Sequence, residues 1–164
     1  MKLFAWLLLL LPAFAFSQKL PSIEEKTKEL KKIPGYLNFY WDENEGKIWL
    51  EIDKFDTEIL YQVSLPAGLG SNDIGLDRGI MRGTHVVKFS RVGRKLLMIQ
   101  PNYSYRATGS DPSEQKAVEQ SFAQSTLWGF TISAETNDHV LVDATDFIIR
   151  DAVQAANTIR NARQ

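Results

Sequence analysis

The residue types able to drive chemistry are unevenly supplied in this chain. Its 164 residues hold two histidines and no cysteine, beside 20 acidic and 19 basic side chains. The lack of cysteine excludes disulfide frameworks, thiolate zinc sites, iron–sulfur clusters and cysteine nucleophiles together. A catalytic zinc site needs three protein ligands and an open position, commonly two His of one helix with a Glu as base. Four residues after His85 stands Phe89, which cannot ligate. Four after His139 stands Asp143, but the intervening Val140, Leu141 and Val142 predict a strand. On a strand those two side chains start roughly 13 Å apart, too far for one ion with bonds of about 2 Å. A site assembled by the fold from His85, His139 and a carboxylate is the remaining route to a metal.

Other constellations fare no better. No G-x-S-x-G elbow occurs, and no serine has a convincing His partner. Carboxylates are plentiful, so residue types alone leave a paired-carboxylate glycosidase open, and spatial separation would decide it. The acidic turn 42–46 resembles a calcium loop until its register is checked. An EF-hand starting at Asp42 needs Gly sixth and Glu twelfth, where this chain has Lys47 and Asp53. A hairpin turn explains the same residues. Gly68-x-Gly70-x-x-Asp73 lacks the third glycine of a dinucleotide fingerprint, and no helical period follows it. Tyr40, Trp41, Trp49 and Trp128 could stack on sugars, but aromatic side chains in a β-rich domain more often fill the core.

The elements that must position these residues are mostly strands. Ser22 and Glu25 form a capping-box pattern that predicts a short, solvated helix within a charged segment, 18–34, reaching Pro34. Beyond it the period drops to two. Tyr36–Trp41, Lys47–Ile52 and Ile59–Leu65 read as strands, followed by Thr84–Ser90, Lys95–Gln100, Trp128–Ala134 and Val140–Val142. A further short strand is suggested around Tyr103 and Tyr105. Asp111, Pro112 and Glu114 mark a strong helix start, and Ala117, Val118, Ser121, Phe122 and Ser125 would lay one face on the sheet. An amphipathic stretch over 147–163 follows the capping sequence 143–146. The predicted fold class is α+β: a mainly antiparallel sheet of hairpins with two or three flanking helices, forming one β-rich domain over 35–164.

Residues 66–83 stand apart. The connection is far longer than the ordinary four to six or so residues and holds five of the chain's ten glycines. Two readings compete: a surface loop that satisfies its own backbone, pinned by an Asp–Arg pair, or a contact surface for another domain or partner. The candidate contact residues are Gly68, Gly70, Asn72, Asp73, Gly75, Asp77, Arg78 and Gly79.

The first 17 residues read as a secretory signal peptide. Lys2 precedes the apolar run Leu3–Phe16, which is too short for a membrane span of about 20 residues. Ala15 and Ser17 suit cleavage before Gln18, with cleavage after Ala15 the close competitor. The expected location is therefore secreted or periplasmic, with no membrane span after cleavage. A net charge of −1 offers no basic face for nucleic acid.

Four segments carry a likeness to a known family: GLGSNDIGLDRG at 68–79, VKFSRVGRKLLMIQPNYSYRA at 87–107, AVEQSFAQSTLWGF at 117–130 and VLVDATDFIIRDA at 140–152. In this order they resemble the uncharacterised N-terminal domain of secreted bacterial zinc-dependent metalloproteases. The resemblance spans about Ile33 to Asp151. It implies a zincin-like catalytic domain downstream, whose H-E-x-x-H has no counterpart here, so this chain would be truncated and would hold no cofactor, zinc belonging to the downstream domain. The expected function is that of a non-catalytic N-terminal domain whose partner is the downstream catalytic domain of the same polypeptide. The alternative is a self-contained periplasmic or extracellular β-rich binding module.

Overall fold

The structure, a computed structural model, describes residues 19–68, 73–105 and 107–163. The expected signal peptide and its cleavage point lie outside the described residues. In chain order the elements are α1 (Ile23–Thr27), β1 (Lys31–Ile33), β2 (Asn38–Asp42), β3 (Lys47–Ile52), β4 (Ile59–Ser64), β5 (Met81–Val92), β6 (Lys95–Gln100), α2 (Pro112–Ser121), β7 (Ser125–Thr136), β8 (His139–Asp143), α3 (Thr145–Ile148) and α4 (Ala155–Ala162). The predicted α+β class holds.

All eight strands join one curled, antiparallel sheet in the order β1-β2-β3-β8-β7-β6-β5-β4. Two meanders build it, β1 to β3 and β4 to β8, closed on each other where Leu50 lies opposite Val142 and Trp49 opposite Asp143. Residues 53–58 carry the chain from the middle of the sheet to its far edge. Phe55 makes a parallel bridge to Phe89 on the way, and the Asp56 amide donates to the Phe89 carbonyl at 2.8 Å.

Alternation sorts the side chains onto two faces. Leu50, Ile52, Val87, Phe89, Leu96, Met98, Phe130, Ile132, Val140 and Val142 form the larger core, into which Phe147 of α3 packs. On the opposite face Tyr40, Trp49, Ala134 and Leu141 meet Ile23 of α1. Tyr40 and Trp49 are thus core residues, while Trp41 and Trp128 are half-buried.

Four sequence expectations change. The predicted charged helix or linker over 18–34 is a helix only across Ile23–Thr27, and Lys31–Ile33 is a strand. That helix is not merely solvated. Ser22 caps it through a bond from the Glu25 amide, and Ile23 and Thr27, one turn apart, are buried against the sheet. Residues 101–105 form no strand. Pro101 has no N–H to give a ladder, and the Asn102 side chain accepts from the Ser104 amide in a local turn. Asp111 caps α2 as expected, yet α2 buries no residue on the sheet, and Phe122 beyond its end stacks on Tyr105 at 3.8 Å. Last, the amphipathic stretch over 147–163 is broken. Gln154 takes a left-handed φ of 57°, and both Asp151 carboxylate oxygens accept from the first amides of α4.

Candidate functional site

The Gly-rich connection sits at the end of a two-stranded ribbon. β6 reaches β5 only over Lys88–Val92, whereas β4 pairs with β5 as far out as Ser64 opposite Met81. The outer half of the β4–β5 hairpin therefore overhangs the sheet, and Met81 to Thr84 are all exposed. Beyond the strands, backbone bonds from Leu65 to Ile80 and from Gly79 to Leu65, at 3.1 and 2.8 Å, continue the ribbon.

Of the eight candidate contact residues, Gly70 and Asn72 lie outside the described residues. Gly68, Asp73, Arg78 and Gly79 are exposed, and Gly75 and Asp77 half-buried. The fold brings Gly68 against the turn that leads back into β5 so closely that a Cβ there would stand 2.5 Å from the Arg78 nitrogen. Only glycine fits this crossing. Leu76 is fully buried at the tip, and Arg82 donates to the Gly75 carbonyl at 3.2 Å. Among the described residues Asp73, Asp77 and Arg78 form no ion pair, so the anticipated Asp–Arg pin is replaced by backbone bonds and one buried leucine.

A groove of about 680 Å³ lies on the outer face beside the ribbon. Val86 and Lys88 of β5, Tyr103 and Tyr105 of the following connection, and Glu119 and Phe122 at α2 contribute to its walls. Its size falls among small-molecule sites, typically about 300–1,000 Å³. The Tyr103 hydroxyl donates to the Glu58 carboxylate across one end.

The histidines are separated. His85 Nδ1 is 2.9 Å from the Gln100 amide oxygen, and its ring stacks near Tyr61. His139 Nδ1 is 2.6 Å from Glu51 Oε1. Glu51 is only 8% exposed, and its other oxygen accepts from the Tyr40 hydroxyl at 2.7 Å and the Asn38 amide at 3.0 Å. Burial alone would push the Glu51 carboxyl up. The hydrogen bonds from His139, Tyr40 and Asn38, with the Lys32 charge, outweigh it and hold the group below the ordinary carboxylate range. Burial, and then the Glu51 bond and charge, push the Tyr40 phenol up to about 12. Among the described residues no group of three or more His, Asp or Glu side chains is placed to hold a metal.

Sequence reasoning missed this network. A signal existed: Glu51 is a carboxylate at a buried position between Leu50 and Ile52, opposite Asn38 and two positions in register from Tyr40. It also missed the cluster around Arg150. That guanidinium lies 4.9 Å from the Trp128 ring and 4.7 Å from Phe147, and donates to the Tyr61 hydroxyl at 3.1 Å.

Residues 79–164 match the family described as a domain of unknown function, DUF5117, which is a little over half of the chain. The chain belongs to the DUF5117 family. The match begins at Gly79, so it takes in β5 to β8 and the last three helices, while β1 to β4 precede it. Neither a curated protein nor a solved structure matches the sequence. DUF5117 membership names no activity, and no described helix is long and apolar enough to cross a membrane.

Proposed function

We propose that this chain is the non-catalytic N-terminal domain of a secreted zinc-dependent metallopeptidase-like protein, and that the tip of the β4–β5 ribbon docks on the downstream catalytic domain of the same polypeptide. The family resemblance of the four sequence blocks supplies the class of protein. The observation that carries the docking role is the overhang of the ribbon. A two-stranded ribbon is marginal in water on its own, yet this one is held out from the sheet with Met81 65% exposed. Leu76 and the close crossing at Gly68 keep its tip folded, which is the shape of a preformed contact surface.

The polar groups elsewhere support a structural role for this domain. His139, Glu51 and Tyr40 are spent on one another, and His85 on Gln100. The test supplies the downstream part as a separate polypeptide and measures its association by calorimetry. Wild-type chain should bind it, and Met81→Glu should weaken binding about tenfold or more by placing a charge at the contact. Undiminished binding by Met81→Glu, or none by the wild type, contradicts the docking role.

The groove beside α2 favours a second reading, a self-contained binding module. Under that reading substitutions at Tyr103 and Tyr105 would abolish ligand binding while ribbon variants leave it unchanged.

A further inference from the structure

The two edges of the sheet are built differently. At one edge β1 is three residues long, carries Lys31 and Lys32, and is followed by Pro34. Short length, lysines and proline are the usual guards against pairing with another chain. At the other edge β4 is six residues long and reads Ile59-Leu60-Tyr61-Gln62-Val63-Ser64, with neither a charge nor a proline inside the strand, Glu58 and Pro66 lying beyond its ends. No described strand lies on its outer side.

The pair β4–β5 has one irregularity, and it spares the edge. Tyr61 lies opposite His85 and Val63 opposite Arg82, so one residue on β4 faces two on β5. The extra residue belongs to β5, where Gly83 has a φ of +56° as a bulge requires. β4 therefore keeps strict alternation. Ile59, Tyr61 and Val63 on the core side are only half-buried, and Leu60 on the outer side is 66% exposed. Both faces of this edge leave apolar surface that one more strand would cover.

We infer that β4 is a self-association edge, pairing antiparallel with β4 of a second copy to continue the sheet through a two-fold axis. A two-fold at Gln62 sets Leu60 of one copy opposite Ser64 of the other, and Tyr61 opposite Val63. Core-side residues then meet core-side residues, an aromatic faces a β-branched side chain, and no charge opposes a like charge. The same operation at β1 would bring lysines together. Charge thus permits a second copy at one edge and opposes it at the other. The edge is separate from the 66–83 tip, so this pairing and the docking of the tip stand or fall independently.

The chain contains no cysteine, which makes the geometry directly readable. Directly opposed residues of antiparallel strands have Cα atoms about 4.5–5.5 Å apart, within disulfide reach. Under mild oxidation Gln62→Cys should yield a disulfide-linked dimer, and Lys32→Cys at the opposite edge should not. Two six-residue strands make a small interface, so sedimentation velocity is run up to about 100 µM. The wild-type chain should double its mass over that range, and Leu60→Lys should weaken association about tenfold or more. Circular dichroism checks that the variant remains folded; if it does not, the cysteine pair decides. A wild-type chain that stays monomeric throughout, equal cross-linking at Gln62→Cys and Lys32→Cys, or a folded Leu60→Lys that associates as the wild type does would each overturn the inference.

Discussion

Replacing Tyr40 by Phe removes one hydroxyl from the interior and leaves the ring in place. In the native protein that hydroxyl donates at 2.7 Å to Glu51, whose remaining donors are Asn38 and His139. A hydrogen bond to a charged group contributes about 1.5–3 kcal/mol, so Tyr40→Phe should destabilise the fold by about 2 kcal/mol at neutral pH. For a chain of this size that lowers Tm by about 4–8 °C. The penalty should itself depend on pH. Glu51 titrates lower in the fold than its ordinary value, so its contribution is complete above about pH 4.5 and is lost as pH falls through the folded value. The gap between the two proteins should therefore narrow towards pH 3. Thermal unfolding followed by circular dichroism at pH 7 and pH 3 measures both effects. A variant within about 1 °C of the parent at pH 7, or an equally large gap at both pH values, refutes the account of Glu51 as an ionised, hydrogen-bonded core carboxylate.

Three further outcomes follow from named contacts. Spectrophotometric titration should leave one tyrosine neutral near pH 11. This signal is lost in Tyr40→Phe, and because the folded value of about 12 lies above the unfolded value of about 10, stability should fall as pH rises between them. Gly68→Ala sets a methyl 2.5 Å from the backbone nitrogen of Arg78, so amide exchange at Leu65, Gly79 and Ile80 should quicken while the melting of the sheet moves little. Arg150→Ala removes the cation above Trp128 and Phe147, both part of the larger core's rim, and should lower Tm by a few degrees, about 1–2 kcal/mol.

The strands were legible because their signals are local. Lys47–Ile52 and Lys95–Gln100 fall on their predicted limits, since alternation and β-branched residues mark both and turn residues bound them. The cap at Asp111 was legible for the same reason, its bond spanning two residues. What failed was every reading that needed a distant partner. Ile23 looks solvated until β3 and β7 are placed beneath it, and the stripe on α2 looks buried until Tyr105 proves to be its neighbour. Lys31 and Lys32 disguised a strand, because edge strands trade propensity for charge. The length of the 66–83 connection marked the ribbon tip in advance, whereas the Glu51 network joins residues up to 88 apart and had only a misplaced carboxylate to announce it.

The docking of the ribbon tip is the central claim, and hydrogen exchange tests it most directly. The amides of residues 66–83 are compared in this chain alone and in a longer polypeptide that continues through an H-E-x-x-H segment. The account predicts that the tip amides exchange more slowly in the longer protein than in the chain alone, with the β6–β7 core unchanged between them. Equal exchange of the tip in both proteins would contradict it.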